Sequence, residues 1–156
     1  MTEQEIKDIC EKYDIRNYTI NPDGSIDVNG NVNLFDMNLT ELPIKFNRVR
    51  GNFYCSNNKL TSLEGCPSYV GGSFYCYGNN LTSLVGCPNY IGGSFYCFEN
   101  KLTSLEGFPK EVGVSFVCGD NPLESFEGYK GDFNRLVCLN KIKLIRKTKL
   151  KIIEKL

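Results

Sequence analysis

The sequence predicts a β-rich solenoid of about five coils, and three observations carry that prediction. The first is a 21-residue period. Residues 51–71 (GNFYCSNNKLTSLEGCPSYVG) and 72–92 (GSFYCYGNNLTSLVGCPNYIG) share fourteen of 21 positions. Residues 93–113 repeat the pattern, a looser copy occupies 30–50, and a decaying one starts at 114, about one residue short. The second is that residues one period apart are alike and apolar. Val32, Phe53, Phe74, Phe95 and Phe116 form one column, and Leu34, Cys55, Cys76, Cys97 and Cys118 another. Leu39, Leu60, Leu81, Leu102 and Leu123; Leu42, Leu63, Leu84, Leu105 and Phe126; and Val49, Val70, Ile91 and Val112 complete the set. One coil cannot bury such a face alone, whereas stacked neighbours bury it for one another. The third is the alternation in F-Y-C, apolar, outward, apolar, which is the period of a β-strand.

From the N-terminus, residues 1–29 read as a cap. Thr2 and Glu5 have the spacing of a helical capping box, and Ile6, Ile9, Cys10 and Tyr13 fall on one face of the helix that follows. Tyr18, Ile20, Ile26 and Val28 alternate around Pro22-Asp23-Gly24, which predicts a β-hairpin leading into the first coil. The solenoid proper spans 30–136. After each strand stands an Asn (Asn58, Asn79, Asn100, Asn121; Met37 in the first coil), where the chain must turn. A buried amide side chain donates and accepts at once, so it is suited to satisfying two coils together. Gly65, Gly86, Gly107 and Gly128 mark the next bend, and Pro67, Pro88 and Pro109 exclude a helix interior on the return side.

The motif F-x-C-x-x-N-x-L-x-x-L, repeated through 30–136, resembles the L-x-L-x-x-N-x-L-x-x-L core of leucine-rich-repeat proteins, with Phe and Cys in place of two leucines. It is most similar to the short, Cys- and Phe-bearing repeats of bacterial and bacteriophage proteins. The resemblance implies a right-handed coil with a parallel sheet on the concave side and irregular or 3₁₀ structure on the convex side. It also implies a protein-binding scaffold.

Residues 137–156 read as a basic C-terminal cap. Leu136-Val137-Cys138 is a last strand, and Ile142, Ile145, Ile152, Ile153 and Leu156 share a helical face. A helix is expected, although alternating Lys and Ile also fits a strand. Seven basic residues and one acid in 141–156 give this segment a charge of +6, leaving −6 on the rest of a chain with zero net charge. One reading is a capping helix with a solvated basic face. The other is an amphipathic helix whose Lys143, Arg146, Lys147, Lys149 and Lys151 contact nucleic acid.

The chain lacks histidine, which removes the commonest general base and any Ser-His or Cys-His pair. Six of the eight cysteines share columns with Leu34 (Cys55, Cys76, Cys97, Cys118) or Phe108 (Cys66, Cys87), so the cysteines read as buried free thiols rather than disulfides or metal ligands. In-column neighbours nonetheless lie near bonding range. No cofactor and no metal is expected, and no enzyme. No apolar run is long enough to span a bilayer and no signal peptide is legible, so the expected compartment is the cytoplasm, with no membrane partner.

The outward strand positions are then the candidate site. Phe35, Tyr54, Tyr75, Tyr77, Tyr96, Phe98 and Val117 form an aromatic stripe, edged by Asn31, Asn33, Asn52, Ser56, Ser73, Ser94 and Ser115. Tyr and Phe are favoured interface anchors, while rings stacked across strands also stabilise a sheet by themselves. The expectation is a non-catalytic module, a monomer or weak self-associator, that binds another protein through this face. Its specific form is a phage or bacterial inhibitor of a host or defence protein. The alternative is a nucleic-acid-associated accessory protein acting through the basic tail.

Overall fold

A computed structural model describes residues 1–132 and 134–138. The expected basic contacts Lys143, Arg146, Lys147, Lys149 and Lys151, and the C-terminal cap beyond Cys138, lie outside the described residues. Helix α1 (Glu3–Lys12) begins as the sequence predicts. The Thr2 hydroxyl accepts from the Glu5 amide at 3.2 Å, and the Glu5 carboxylate accepts from the Thr2 amide at 2.6 Å. Asp14, with φ of +50°, ends it in the left-handed region. Ile6 and Cys10 are buried in the core, with Ile9 and Tyr13 packed at its edge.

Strands β1 (Tyr18–Ile20) and β2 (Ile26–Val28) form the predicted antiparallel hairpin. Gly24 turns it with φ of +77°. The Asp23 carboxylate accepts from the Ser25 hydroxyl and from Lys45, which holds it well below the usual carboxylate range. Strand β2 then pairs in parallel with β4 (Phe46–Val49), so the hairpin heads one sheet of the solenoid.

Two six-stranded sheets run the length of the repeat. One holds β3 (Val32–Asn33), β5 (Phe53–Tyr54), β7 (Phe74–Tyr75), β9 (Phe95–Tyr96), β11 (Phe116–Val117) and β12 (Leu136–Val137), all parallel. The register is the sequence period: Val32, Phe53, Phe74, Phe95 and Phe116 lie opposite one another. The last step, Phe116 to Leu136, is one residue shorter.

The other sheet contains β1, β2, β4, β6 (Tyr69–Val70), β8 (Tyr90–Ile91) and β10 (Glu111–Val112). It occupies the return side, where the resemblance implied irregular or 3₁₀ structure. Gly71, Gly92 and Gly113 explain the difference. A Cβ on any of them would land on a carbonyl oxygen of the preceding coil (Arg50, Gly71 and Gly92 respectively), so their absence of a side chain lets the returning backbones approach and pair.

The interior is the stack of columns. Phe53, Phe74, Phe95 and Phe116 are buried, with successive ring centroids 5.8, 5.3 and 5.3 Å apart. Burying a large apolar side chain contributes about 2 kcal/mol, and these rings add tilted aromatic contacts with both neighbours. Cys55, Cys76, Cys97 and Cys118 are free and buried beside them. Burial pushes the Cys76 and Cys97 thiols well above their ordinary range. Cys66 and Cys87 are only half-buried, packed against the rim of the core, and the Cys87 thiol is pushed up to about 12 by burial.

The asparagine column joins the coils. Asn79 Nδ2 donates to the carbonyls of Cys55, Cys76 and Tyr77 at 3.0, 3.1 and 3.4 Å, and its Oδ1 accepts from the Leu60 amide at 3.0 Å. Asn100 and Asn121 repeat this one and two coils on. Asn58 does the same to Leu34, Cys55 and Ser56, and takes the amides of Met37 and Leu39. Each amide therefore ties its own turn to the coil behind.

Candidate protein-binding face

The first sheet presents alternate side chains away from the core, the second residue of each strand. The paired register places Asn33, Tyr54, Tyr75, Tyr96, Val117 and Val137 in one outward column. Tyr54 stacks on Tyr75 at 4.6 Å and 12°, and Tyr75 on Tyr96 at 4.8 Å and 5°. Tyr77 stacks on Phe98 at 4.5 Å and 6°, forming a second, shorter pile beside the first. Phe35 stands at the N-terminal end of that second column and is 41% exposed. Val137, 55% exposed, extends the first column at the far end. The structure thus brings Tyr54, Tyr75, Tyr77, Tyr96 and Phe98 together in two near-parallel piles, with Val117 next in line and Phe35 apart from the rings by one coil.

That gap is Ser56, and here the structure corrects the sequence reading. Ser56 was expected at the polar edge of the stripe, yet it is fully buried. Among the described residues its hydroxyl is the one buried side-chain polar atom without a hydrogen bond. A small side chain in a column of rings sinks below the level its neighbours reach. Ser56→Ala is expected to raise stability by about 1 kcal/mol, read as a shift of a few °C in a thermal melt, because it removes an unsatisfied buried group.

The other edging residues have structural work. Asn31 Oδ1 accepts from the Asn52 amide at 2.8 Å, Asn52 Oδ1 from Ser73 at 2.7 Å, and Ser73 Oγ from Ser94 at 3.0 Å. Asn52 Nδ2 also donates to the Tyr54 hydroxyl at 2.9 Å, which fixes the first ring of the pile. These side chains hold successive strands together and orient the stripe.

Sequence reasoning missed a second aromatic feature. On the return sheet Arg48, Tyr69, Tyr90 and Glu111 align. Tyr69 and Tyr90 stack at 4.9 Å and 4°, and the Arg48 guanidinium lies 4.4 Å over the Tyr69 ring. The signal was the Tyr preceding the buried Val70 and Ile91, but two glycines follow at once, so no second apolar position completes an alternation as Cys does in F-Y-C. This pile is capped at one end by a cation, whereas the Tyr54–Tyr96 pile carries no charge within its rings.

The loops after β3, β5, β7, β9 and β11 share a backbone feature that the sequence does not show. Their first residue (Asp36, Asn57, Gly78, Glu99, Asp120) varies freely in sequence, yet all five have φ between +51° and +64°. A common left-handed turn precedes every buried amide. Among the described residues no three Cys, Asp or Glu side chains converge as a metal-binding set, and no helix is long and apolar enough to cross a membrane. The chain matches no family model, no curated protein and no solved structure.

Proposed function

We propose that the chain is a non-catalytic binding module that grips another protein with the outer face of its first sheet. The observation that carries the reading is the unbroken pile Tyr54–Tyr75–Tyr96 beside Tyr77–Phe98. Stacked rings on a hydrogen-bonded sheet are already ordered, so a partner that covers them loses little conformational freedom. Large aromatic side chains are also the residues that most often dominate binding energy. The leucine-rich-repeat likeness of the motif points the same way, and its bacterial and bacteriophage associations suggest an inhibitor of a host or defence protein in the cytoplasm. The basic segment 141–156 supports a second reading, contact with nucleic acid, through its +6 charge.

The triple variant Tyr54→Ala, Tyr75→Ala, Tyr96→Ala separates the two. It is expected to melt cooperatively, at a cost of about 1 kcal/mol per ring pair, because the buried phenylalanines beneath are untouched. It should lose the protein retained by the unaltered chain in a pull-down. A partner retained at full strength by the folded triple variant would remove the stripe from consideration. Binding that instead weakens steeply with salt and survives the triple change would assign the function to the tail.

A further inference from the structure

We propose that Cys118 and Cys138 are a disulfide-forming modification site, closed when a peroxide oxidises the accessible Cys138 and the buried Cys118 displaces the oxidised group. The pair lies outside the aromatic face, and its test does not depend on that face binding anything.

Four observations support the pair. Strands β11 and β12 are parallel, with Phe116 opposite Leu136 and Val117 opposite Val137, so Cys118 and Cys138 are the next facing residues. The Cys118 amide donates to the Val137 carbonyl at 3.1 Å, which keeps the register through this step. Neighbouring parallel strands run about 4.8 Å apart, inside the roughly 4.4–6.8 Å between Cα atoms that a disulfide spans. The two thiols are close enough to shift each other's ionisation in opposite directions, Cys118 up and Cys138 down.

What separates this pair from the other cysteines is access and the direction of those shifts. In Cys55, Cys76, Cys97 and Cys118 both sulfur and backbone are sealed in the core, whereas Cys138 is only half-buried. Interaction with the Cys118 thiol holds Cys138 below the ordinary thiol range, against burial and the charge of Asp120, while Cys118 itself is pushed up. The rivals lack this combination: in-column neighbours among Cys55, Cys76, Cys97 and Cys118 have both sulfurs sealed in the core, and where Cys55 meets Cys66 the half-buried Cys66 is the group whose thiol is pushed up, chiefly by burial. The thiolate, the form that reacts, is therefore favoured on the reachable sulfur only at Cys138.

The step balances with hydrogen peroxide as oxidant. The Cys138 thiolate attacks one peroxide oxygen; an S–O bond forms, the O–O bond breaks and hydroxide leaves. The Cys118 sulfur, giving up its proton, then attacks the sulfenic sulfur; the S–S bond forms and water leaves. Two thiols are oxidised and one peroxide is reduced to two waters. The product ties the final strand, with buried Leu136, to the coil that carries Phe116.

Peptide mapping of the full chain tests this. The reduced protein is exposed to hydrogen peroxide, remaining thiols are alkylated, and trypsin is added. Cleavage after Lys110, Lys130, Arg135 and Lys141 places Cys118 alone in peptide 111–130 and Cys138 alone in 136–141. The expected dominant disulfide joins these two peptides. In Cys118→Ser, a dimedone adduct should accumulate on Cys138. A dominant link elsewhere, such as Cys55 to Cys66, would overturn the proposal. So would stable sulfenic acid on Cys138 of the unaltered chain, or no linked peptide in excess peroxide. The unaltered chain alone decides the outcome, so a poorly folding variant does not blunt the test.

Discussion

Asn79→Asp is expected to prevent cooperative folding at neutral pH, whereas Asn79→Ala is expected to cost about 3 kcal/mol and leave a folded chain. The two outcomes differ because the acceptors around Asn79 are served twice. The Cys55 carbonyl also receives Asn58 Nδ2, and the Cys76 carbonyl also receives Asn100 Nδ2. The Tyr77 carbonyl also receives the Asn57 amide. Alanine therefore orphans chiefly the Leu60 amide, whose partner is Asn79 Oδ1. Aspartate does something worse. It places a carboxylate oxygen where the donating nitrogen faced three carbonyl oxygens, and buries its charge.

The pH dependence follows from that geometry. Burial and the surrounding carbonyl oxygens raise the folded-state pKa of the introduced carboxyl above its unfolded value of about 3.9. Relative to the unaltered chain, the variant is then most stable below pH about 3.9 and loses stability as pH rises through the folded-state value. Denaturant melts across pH check both points. An Asn79→Asp variant as stable at pH 7 as Asn79→Ala would show that the amide nitrogen does not matter.

Gly107→Ala is expected to destabilise at least twice as much as Gly65→Ala, although both glycines have φ of +84°. The shared backbone conformation costs either alanine about 1–2 kcal/mol. The surroundings differ. A Cβ at Gly65 would meet the Ile44 carbonyl oxygen at 3.4 Å and Leu42 at 3.6 Å, which is ordinary contact. A Cβ at Gly107 would strike the Val85 amide nitrogen and sit 2.6 Å from the Leu84 carbonyl carbon. Backbone cannot rotate away as a side chain does, so the coil behind must shift. Urea melts of the two variants make the comparison, and equal losses would mean that the coils separate easily at this corner. Gly65 is spared because the corresponding residue of its preceding coil is Ile44, which lacks the left-handed bend that Gly86 makes behind Gly107.

The columns were legible in the sequence because a strict period converts directly into contact. Phe53, Phe74 and Phe95 repeat without variation, and the structure stacks them. The asparagines were legible for the same reason, and their double role followed from amide chemistry. What the sequence concealed has particular causes. In the return strands β6 and β8 a glycine pair follows the buried Val70 or Ile91, so no apolar-outward-apolar run stands out. The left-handed column is filled by an acid, an amide or a glycine, so a fixed backbone conformation looked like free variation. Ser56 has outward spacing, but its size places it beneath the surface. Cys138 was legible as the end of the last strand, but its place opposite Cys118 rests on the twenty-residue step from Phe116 to Leu136.

The side-chain amides reach only one coil back, and the stacked phenylalanines meet rings of their own and adjoining coils. No joint in the molecule therefore depends on how many coils it has. Copying or losing a stretch of 21 codons would preserve every joint while adding or removing one tyrosine from the outer pile. Inheritance can thus change the reach of the outer aromatic surface in whole steps, with the interior unaltered, while the gain of a single codon within a strand would throw every later column out of line.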